Sequence, residues 1–244
     1  MDILVINLER AKKRRAFKEN RLRQLVAKYE IFPGVDAMGD LPTKFNRYDA
    51  EACMSRFGAA LTPGELGCYA SHYLVWEECA RRGKPVLVME DGVELSSAFP
   101  DALELASERI AEHRFIRLCG LFPRPFRSIE AINATRQLVR FLRGPSGLQC
   151  YALSPDGAQA LLAKARSWVE PVDTYVDRFW CHGLTPTALV PFEVRHHDDA
   201  TLPSLIGERK QHRRGVGKAR REFFRLWDSF RRISYNQKLI LTDR

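Results

Sequence analysis

Two short runs constrain the fold more than anything else in the chain: Ile3-Leu4-Val5-Ile6-Asn7-Leu8 and Pro85-Val86-Leu87-Val88-Met89. Both are almost continuously apolar and rich in β-branched residues. They have no polar face to offer water, which suits strands buried on both sides, as in a parallel sheet. Such a sheet needs helices on each face, and the intervening sequence supplies them. From Arg10 to Tyr29, Phe17, Leu22, Leu25, Val26 and Tyr29 fall on one helical face, while Lys12, Lys13, Arg14, Arg15, Lys18, Arg21 and Arg23 crowd the start and the opposite face. Thr62-Pro63-Gly64-Glu65 combines an N-cap Thr, a Pro at the first helical position and a Glu three residues after the cap. It predicts a helix from Pro63 to about Arg82, closed by Gly83 in the left-handed conformation.

The rest of the chain keeps the alternation. Ile31 to Asp36 reads as a second strand, and Ala37 to Ala60 as a long loop with a helical turn. A helix is expected over Phe99 to His113, strands over Phe115 to Gly120 and Gln149 to Leu153, and weaker strands within Ser128 to Arg143. Ser154-Pro155 opens a helix through about Arg166, followed by a short helix over Pro171 to His182 and a last strand over Thr185 to Val190. The expectation is an α/β domain over residues 1–206 with a mostly parallel sheet flanked by helices, binding ligands at the carboxyl ends of its strands.

Residues 207–244 differ in kind. The chain carries 39 Lys and Arg against 30 Asp and Glu, a net +9, which invites nucleic acid, an anionic membrane or a phosphorylated substrate as partner. Between Glu208 and Arg232 there are ten basic residues against three acids, so this segment holds +7 and all other residues together +2. Phe223, Phe224, Leu226, Trp227, Phe230 and Ile233 run through it as an apolar stripe, the pattern of a basic amphipathic helix. That pattern fits an anionic membrane surface, or a helix packed on the domain with its basic face in water. The α/β segment carries no nucleic-acid reader motif, so nucleic acid is not an expected partner.

No apolar run approaches the roughly 18 residues that span a bilayer, and Ile3 to Leu8 has no basic leader, so neither a transmembrane anchor nor secretion is expected. The six cysteines form no Cys-x-x-Cys pair and lie mostly in apolar segments, as reduced core residues of a cytosolic protein do.

Glu90-Asp91, just past a buried strand, is the first candidate site, with plain turn chemistry as the alternative. Ser71 and His72 are neighbours about 100° apart on a helix and form no nucleophile–base pair. Cys68 and His72 share a face, but no oxyanion hole or orienting third group accompanies them. His196-His197-Asp198-Asp199 offers a metal ligand or, more simply, a solvated turn.

Taken in order, Val5-Ile6-Asn7-Leu8-Glu9-Arg10 with Arg14-Arg15, Gly34-Val35-Asp36-Ala37, Leu61-Thr62-Pro63-Gly64-Glu65-Leu66-Gly67-Cys68 with Ser71-His72, and Val88-Met89-Glu90-Asp91 resemble family 25 glycosyltransferases. These include bacterial enzymes that build lipooligosaccharide and lipopolysaccharide cores. The resemblance spans roughly residues 2 to 95, with a weaker echo at Gly147 to Ala158 and Pro171-Val172-Asp173. It implies a Rossmann-like GT-A fold and an inverting transfer of a sugar, most often galactose, from a UDP-sugar. A catalytically weak relative that binds the nucleotide sugar or a partner is the alternative.

By the same resemblance, Asn7, Leu8 and Arg10 would hold the nucleotide, with Arg14 and Arg15 available to the diphosphate unless they belong to a solvated helix face. Asp36 would face the base or ribose or serve a turn, and Thr62, Glu65, Gly67, Ser71, His72, Glu90 and Asp91 would line the nucleotide-sugar site, with a buried, hydrogen-bonded histidine as the alternative for His72. The family's Glu-Asp-Asp reads Glu90-Asp91-Gly92 here. Either Asp91, with Glu94, holds a manganese or magnesium ion, or metal dependence is weakened and arginines neutralise the departing UDP. Asp173 would be the base for the acceptor hydroxyl, with Asp177 one helical turn on as reserve, or both are ordinary helix-start charges. The implied partners are a UDP-sugar and a lipid-linked oligosaccharide, on the cytoplasmic face of the inner membrane.

Overall fold

The computed structural model describes residues 1–26, 28–38, 45–196 and 216–242. In chain order the elements are β1 (Asp2–Asn7), α1 (Lys12–Leu25), β2 (Glu30–Pro33), α2 (Ala50–Phe57), α3 (Pro63–Arg82), β3 (Val86–Glu90), β4 (Val93–Leu95), α4 (Phe99–His113) and β5 (Phe115–Arg117). They continue with β6 (Phe126–Ala131), β7 (Gln137–Phe141), β8 (Cys150–Leu153), α5 (Pro155–Lys164), α6 (Val172–Asp177), α7 (Phe179–His182), β9 (Thr187–Val190), β10 (Val194–His196) and α8 (Val216–Thr242).

Eight strands form one sheet in the order β2-β1-β3-β8-β5-β9-β7-β6, and β4 pairs with β10 beside it. β1 runs parallel to β2 and β3, and β5 to β9. The pairs β3/β8, β5/β8, β7/β9 and β6/β7 are antiparallel. The expectation of a mostly parallel sheet is therefore corrected to a mixed one, parallel at the β2-β1-β3 side. The reason is physical: a run such as Cys150–Leu153, buried on both faces, presents the same apolar pattern in either direction. The short turn between β6 and β7, in which Asn133 Oδ1 accepts from the Thr135 and Arg136 amides, allows only an antiparallel hairpin.

Alternation along the strands feeds two cores. Leu4, Ile6, Val86 and Val88 face α3, α5 and α6, while Ile3, Val5, Leu87 and Met89 face α1 and α4. Each such side chain contributes about 1.5–3 kcal/mol of transfer free energy on burial. In α3 the predicted capping box is formed, Gly83 closes the helix at φ 62°, and Tyr69 stacks on Trp168 with ring centroids 4.4 Å apart.

Three local expectations change. Within the predicted loop 37–60, residues 50–57 make α2, started by Asp49, whose side chain accepts from the Ala52 amide, and ended by Gly58 at φ 71°. The single helix expected over Pro171 to His182 is two, broken at Arg178, whose guanidinium reaches Glu170 at 2.7 Å and Asp228 at 3.2 Å. The basic face of α1 is not uniformly solvated. Lys18 is fully buried and donates to the Val93 carbonyl, and Arg21 donates to Leu95 O at 2.9 Å.

The helix α8 packs against α2 and α7, but of its apolar stripe only Phe224 turns inward, against the Arg56 guanidinium of α2. Its inward side chains include Asp228, paired with Arg56 and Arg178, and Asn236, which donates to Leu142 O at 2.8 Å. Phe223, Leu226, Trp227, Phe230 and Ile233 are 50–71% exposed. A packed helix with only its basic face in water is thus corrected: ion pairs hold the helix down and all of the apolar stripe but Phe224 faces outward.

Candidate active site

The carboxyl ends of β1, β2 and β3 lie side by side, and the residues that follow them supply Leu8, Arg10, Asp36, Glu90 and Asp91 to one cleft. The other wall is α3, which must approach closely: a Cβ on Gly67 would lie 2.5 Å from the Val35 carbonyl oxygen. Ser71 locks this approach, its Oγ accepting from the Val35 amide at 2.8 Å and donating to Gly67 O at 2.7 Å. Ser71 thus positions the wall, with no geometry for nucleophilic attack.

Asp91 is the hub of the floor. Oδ2 accepts from Asn7 Nδ2 at 2.6 Å and Oδ1 from an Arg14 NH1 at 3.0 Å. Burial pushes its carboxyl above the usual range, with Arg14 and Asn7 opposing that rise. Asn7, itself buried, holds Asp91 from behind. Arg10 pairs with Asp36 at the exposed rim, and this hydrogen bond holds the Asp36 carboxyl below its ordinary value. Arg15 stands apart from the others, pairing with Glu19 at 3.1 Å on an exposed face.

His72 and Glu90 are joined by a directional chain. The Trp76 indole N–H can only donate, so the Tyr151 hydroxyl accepts it at 2.9 Å and gives its own proton to His72 Nδ1, also at 2.9 Å. His72 Nε2 therefore carries the ring proton and donates it to Glu90 Oε1 at 3.2 Å. Burial, with Glu90, Asp173 and Glu65 nearby, pushes the Cys68 thiol well up, which makes it a poor nucleophile.

A second cleft shares Cys68, Glu90 and Gln149 with the first and extends to Glu65, Leu121 and Asp173. Asp173 Oδ2 accepts from the Gly147 amide at 3.1 Å and Oδ1 from the Thr174 amide at 2.6 Å. Asp177 lines neither cleft. It accepts from Ser146 N at 2.9 Å and pairs with the buried Arg117 at 2.5 Å, and burial raises its carboxyl to about 6. Thr62 is occupied in the α3 cap, whose other half is Glu65. His196, at the end of β10, lines the first cleft, whereas His197, Asp198 and Asp199 lie outside the described residues.

The acidic turn fits a hard divalent cation poorly: such an ion is held by one or two carboxylates beside waters and substrate phosphates, yet the Asp91 oxygens already accept from Asn7 and Arg14 and residue 92 brings no carboxylate. Glu94 is exposed on β4, in register with Arg195. Among the described residues, the three potential ligands within 4.8 Å of one another are Cys68, His72 and Glu90, a sulfur- and nitrogen-bearing set unlike a manganese or magnesium site.

Sequence reasoning missed Gln149, Tyr151 and the inward turn of Lys18. Only the i, i+4 spacing of Arg14 and Lys18 signalled that both share a face.

Residues 1–176 match the sequence profile described as "Glycosyltransferase family 25 (LPS biosynthesis protein)". A glycosyltransferase 25 family member of Aedes aegypti is 35% identical over 105 residues, covering 40% of this chain and 17% of that protein. An inactive glycosyltransferase 25 family member 3 of Homo sapiens is 48% identical over 54 residues, covering 22% of this chain and 9% of that protein. The aligned region is thus less than a fifth of the length of either relative. The cleft at the ends of β1 to β3 is built from the segments that carry this likeness, and the chain belongs to glycosyltransferase family 25.

Proposed function

We propose that the chain is an inverting, GT-A-type glycosyltransferase. It moves a sugar, galactose by family resemblance, from a UDP-sugar to a hydroxyl of a lipooligosaccharide or lipopolysaccharide core. The observation that carries this reading is the pair of clefts meeting at Cys68, Glu90 and Gln149. The first offers Arg10 and Arg14 to a diphosphate, and the second offers Asp173 to an incoming hydroxyl. In the transfer, the acceptor oxygen attacks the anomeric carbon as its bond to UDP breaks. Asp173 takes the hydroxyl proton, and the arginines stabilise the charge left on UDP.

The test is UDP release from a panel of UDP-sugars with core oligosaccharide acceptors. Acceptor-dependent release with UDP-galactose is expected. A second reading, a nucleotide-sugar-binding module without turnover, is favoured by Gly92 and by relatives named as inactive. UDP binding without release on any acceptor would establish it instead.

The acceptor reading extends to the inner face of the inner membrane. No helix among the described residues is long and apolar enough to cross a bilayer. The outward stripe of α8, from Phe223 to Ile233, is flanked by exposed Arg220 and Arg231, and Arg124, Arg127 and Arg143 line a groove with Ile233. Such basic residues attract anionic lipid at about 1 kcal/mol each near the surface. The full chain should co-sediment with phosphatidylglycerol-containing vesicles and not with neutral ones, and Trp227→Ser with Phe230→Ser should weaken the binding about tenfold or more. Equal recovery with both vesicle types would remove the membrane from the reading.

A further inference from the structure

The geometry points to Arg14 as the fixed cation of the donor cleft, holding the diphosphate in the place where the family's third acidic residue would bring a metal ion. This rests on the nucleotide-sugar reading and goes beyond it. A Cβ built on Gly92 would lie 3.0 Å from an Arg14 NH1, so the guanidinium borders the space that a side chain at 92 would enter. The same NH1 reaches Asp91 Oδ1 at 3.0 Å, and the pair is largely buried, with 14% and 9% of the side chains exposed.

Arg14 is not alone on that face. Lys18, one turn on, is fully buried against the Val93 carbonyl, with Asp91 and Glu94 close enough to oppose the lowering of its ammonium to about 8. Arg21 continues the row onto Leu95 O. The helix therefore clamps the turn after β3 through Arg14 and the following strand β4 through Lys18 and Arg21, and a divalent ion at Asp91 would sit against positive charge on its protein side. A guanidinium also suits the ligand: its planar fork of donors matches phosphate oxygens, and its charge does not titrate. Arg14 lines the donor cleft while bonded to Asp91, so it is held in place before the nucleotide arrives.

The experiment is calorimetric titration of the full chain with UDP, in EDTA and in manganese, with Mn2+ electron paramagnetic resonance as a second readout. The dissociation constant should agree between the two conditions within about twofold, and UDP should not recruit a stoichiometric Mn2+. Arg14→Ala should weaken UDP about 10- to 100-fold, with no rescue by manganese. Arg14→Lys, which keeps the charge without the fork, should fall between the two and guards against a folding defect. UDP binding that requires manganese, a bound Mn2+ that Asp91→Asn removes, or undiminished binding by Arg14→Ala would overturn this inference alone. No UDP binding under either condition overturns both it and the nucleotide-sugar reading.

Discussion

Asp173→Asn is expected to lower kcat by about 10²- to 10⁴-fold while leaving UDP affinity within about twofold. The carboxylate sits in the second cleft, across the shared wall from the proposed diphosphate site, so its loss should touch proton removal from the acceptor and not donor binding. An asparagine still offers one oxygen to the Gly147 or Thr174 amide, which limits the structural damage. The check is steady-state kinetics beside UDP calorimetry. Glu90→Gln is the necessary companion, because Glu90 borders both clefts and His72 holds one of its oxygens. Full activity in Asp173→Asn with loss in Glu90→Gln would transfer the role of base to Glu90.

Asp177→Ala should act on stability instead, lowering the unfolding free energy by about 3–5 kcal/mol. Arg117 is 1% exposed, and its partners are the Asp177 carboxylate and the Gly147 carbonyl. Removing the carboxylate leaves a buried cation uncompensated and frees the Ser146 amide. For a chain of this size the loss corresponds to a fall in Tm of about 10 °C or more, measurable by calorimetry.

The pH dependence has a definite sign. Burial raises the folded carboxyl to about 6. Between roughly pH 4 and 6 the folded state therefore holds a proton that the unfolded chain has released, and this group's contribution to stability falls as pH rises. Asp177→Ala should remove that slope. A variant as stable as the parent would mean that Arg117 is satisfied by other groups.

These two aspartates show how far a sequence can be read. Their spacing on one helix was visible, and so was their nearness to a motif. Nothing local said that Asp173 would open onto a cleft while Asp177 turned to an arginine 60 residues earlier. The same holds on α1. Arg14, Lys18 and Arg21 counted as polar positions, yet they bond to groups in residues 91–95 and one of them is fully buried. Helical periodicity sorts residues by hydrophobicity and is blind to a lysine whose ammonium finds a backbone carbonyl. His72 was legible as a candidate for the site. Its proton position followed only from Tyr151, which meets it from β8 and is itself held by Trp76, one turn along the same helix.

What the amino-acid order determined by itself was local: the buried strands β1 and β3, the Thr62 capping box, the Gly83 stop, the acidic turn at Glu90-Asp91 and the family these segments belong to. Those features depend on neighbours within about one helical turn, or on the alternation of a single strand. The tertiary structure alone decided the direction of β8, the inward cations of α1 and the outward apolar stripe of α8. Each of these is settled by partners tens of residues away. A doubly buried strand carries no mark of direction, and a helix carrying both ion-pairing and apolar residues is oriented by whichever face finds its complement, here the Arg56 and Arg178 pairs with Asp228.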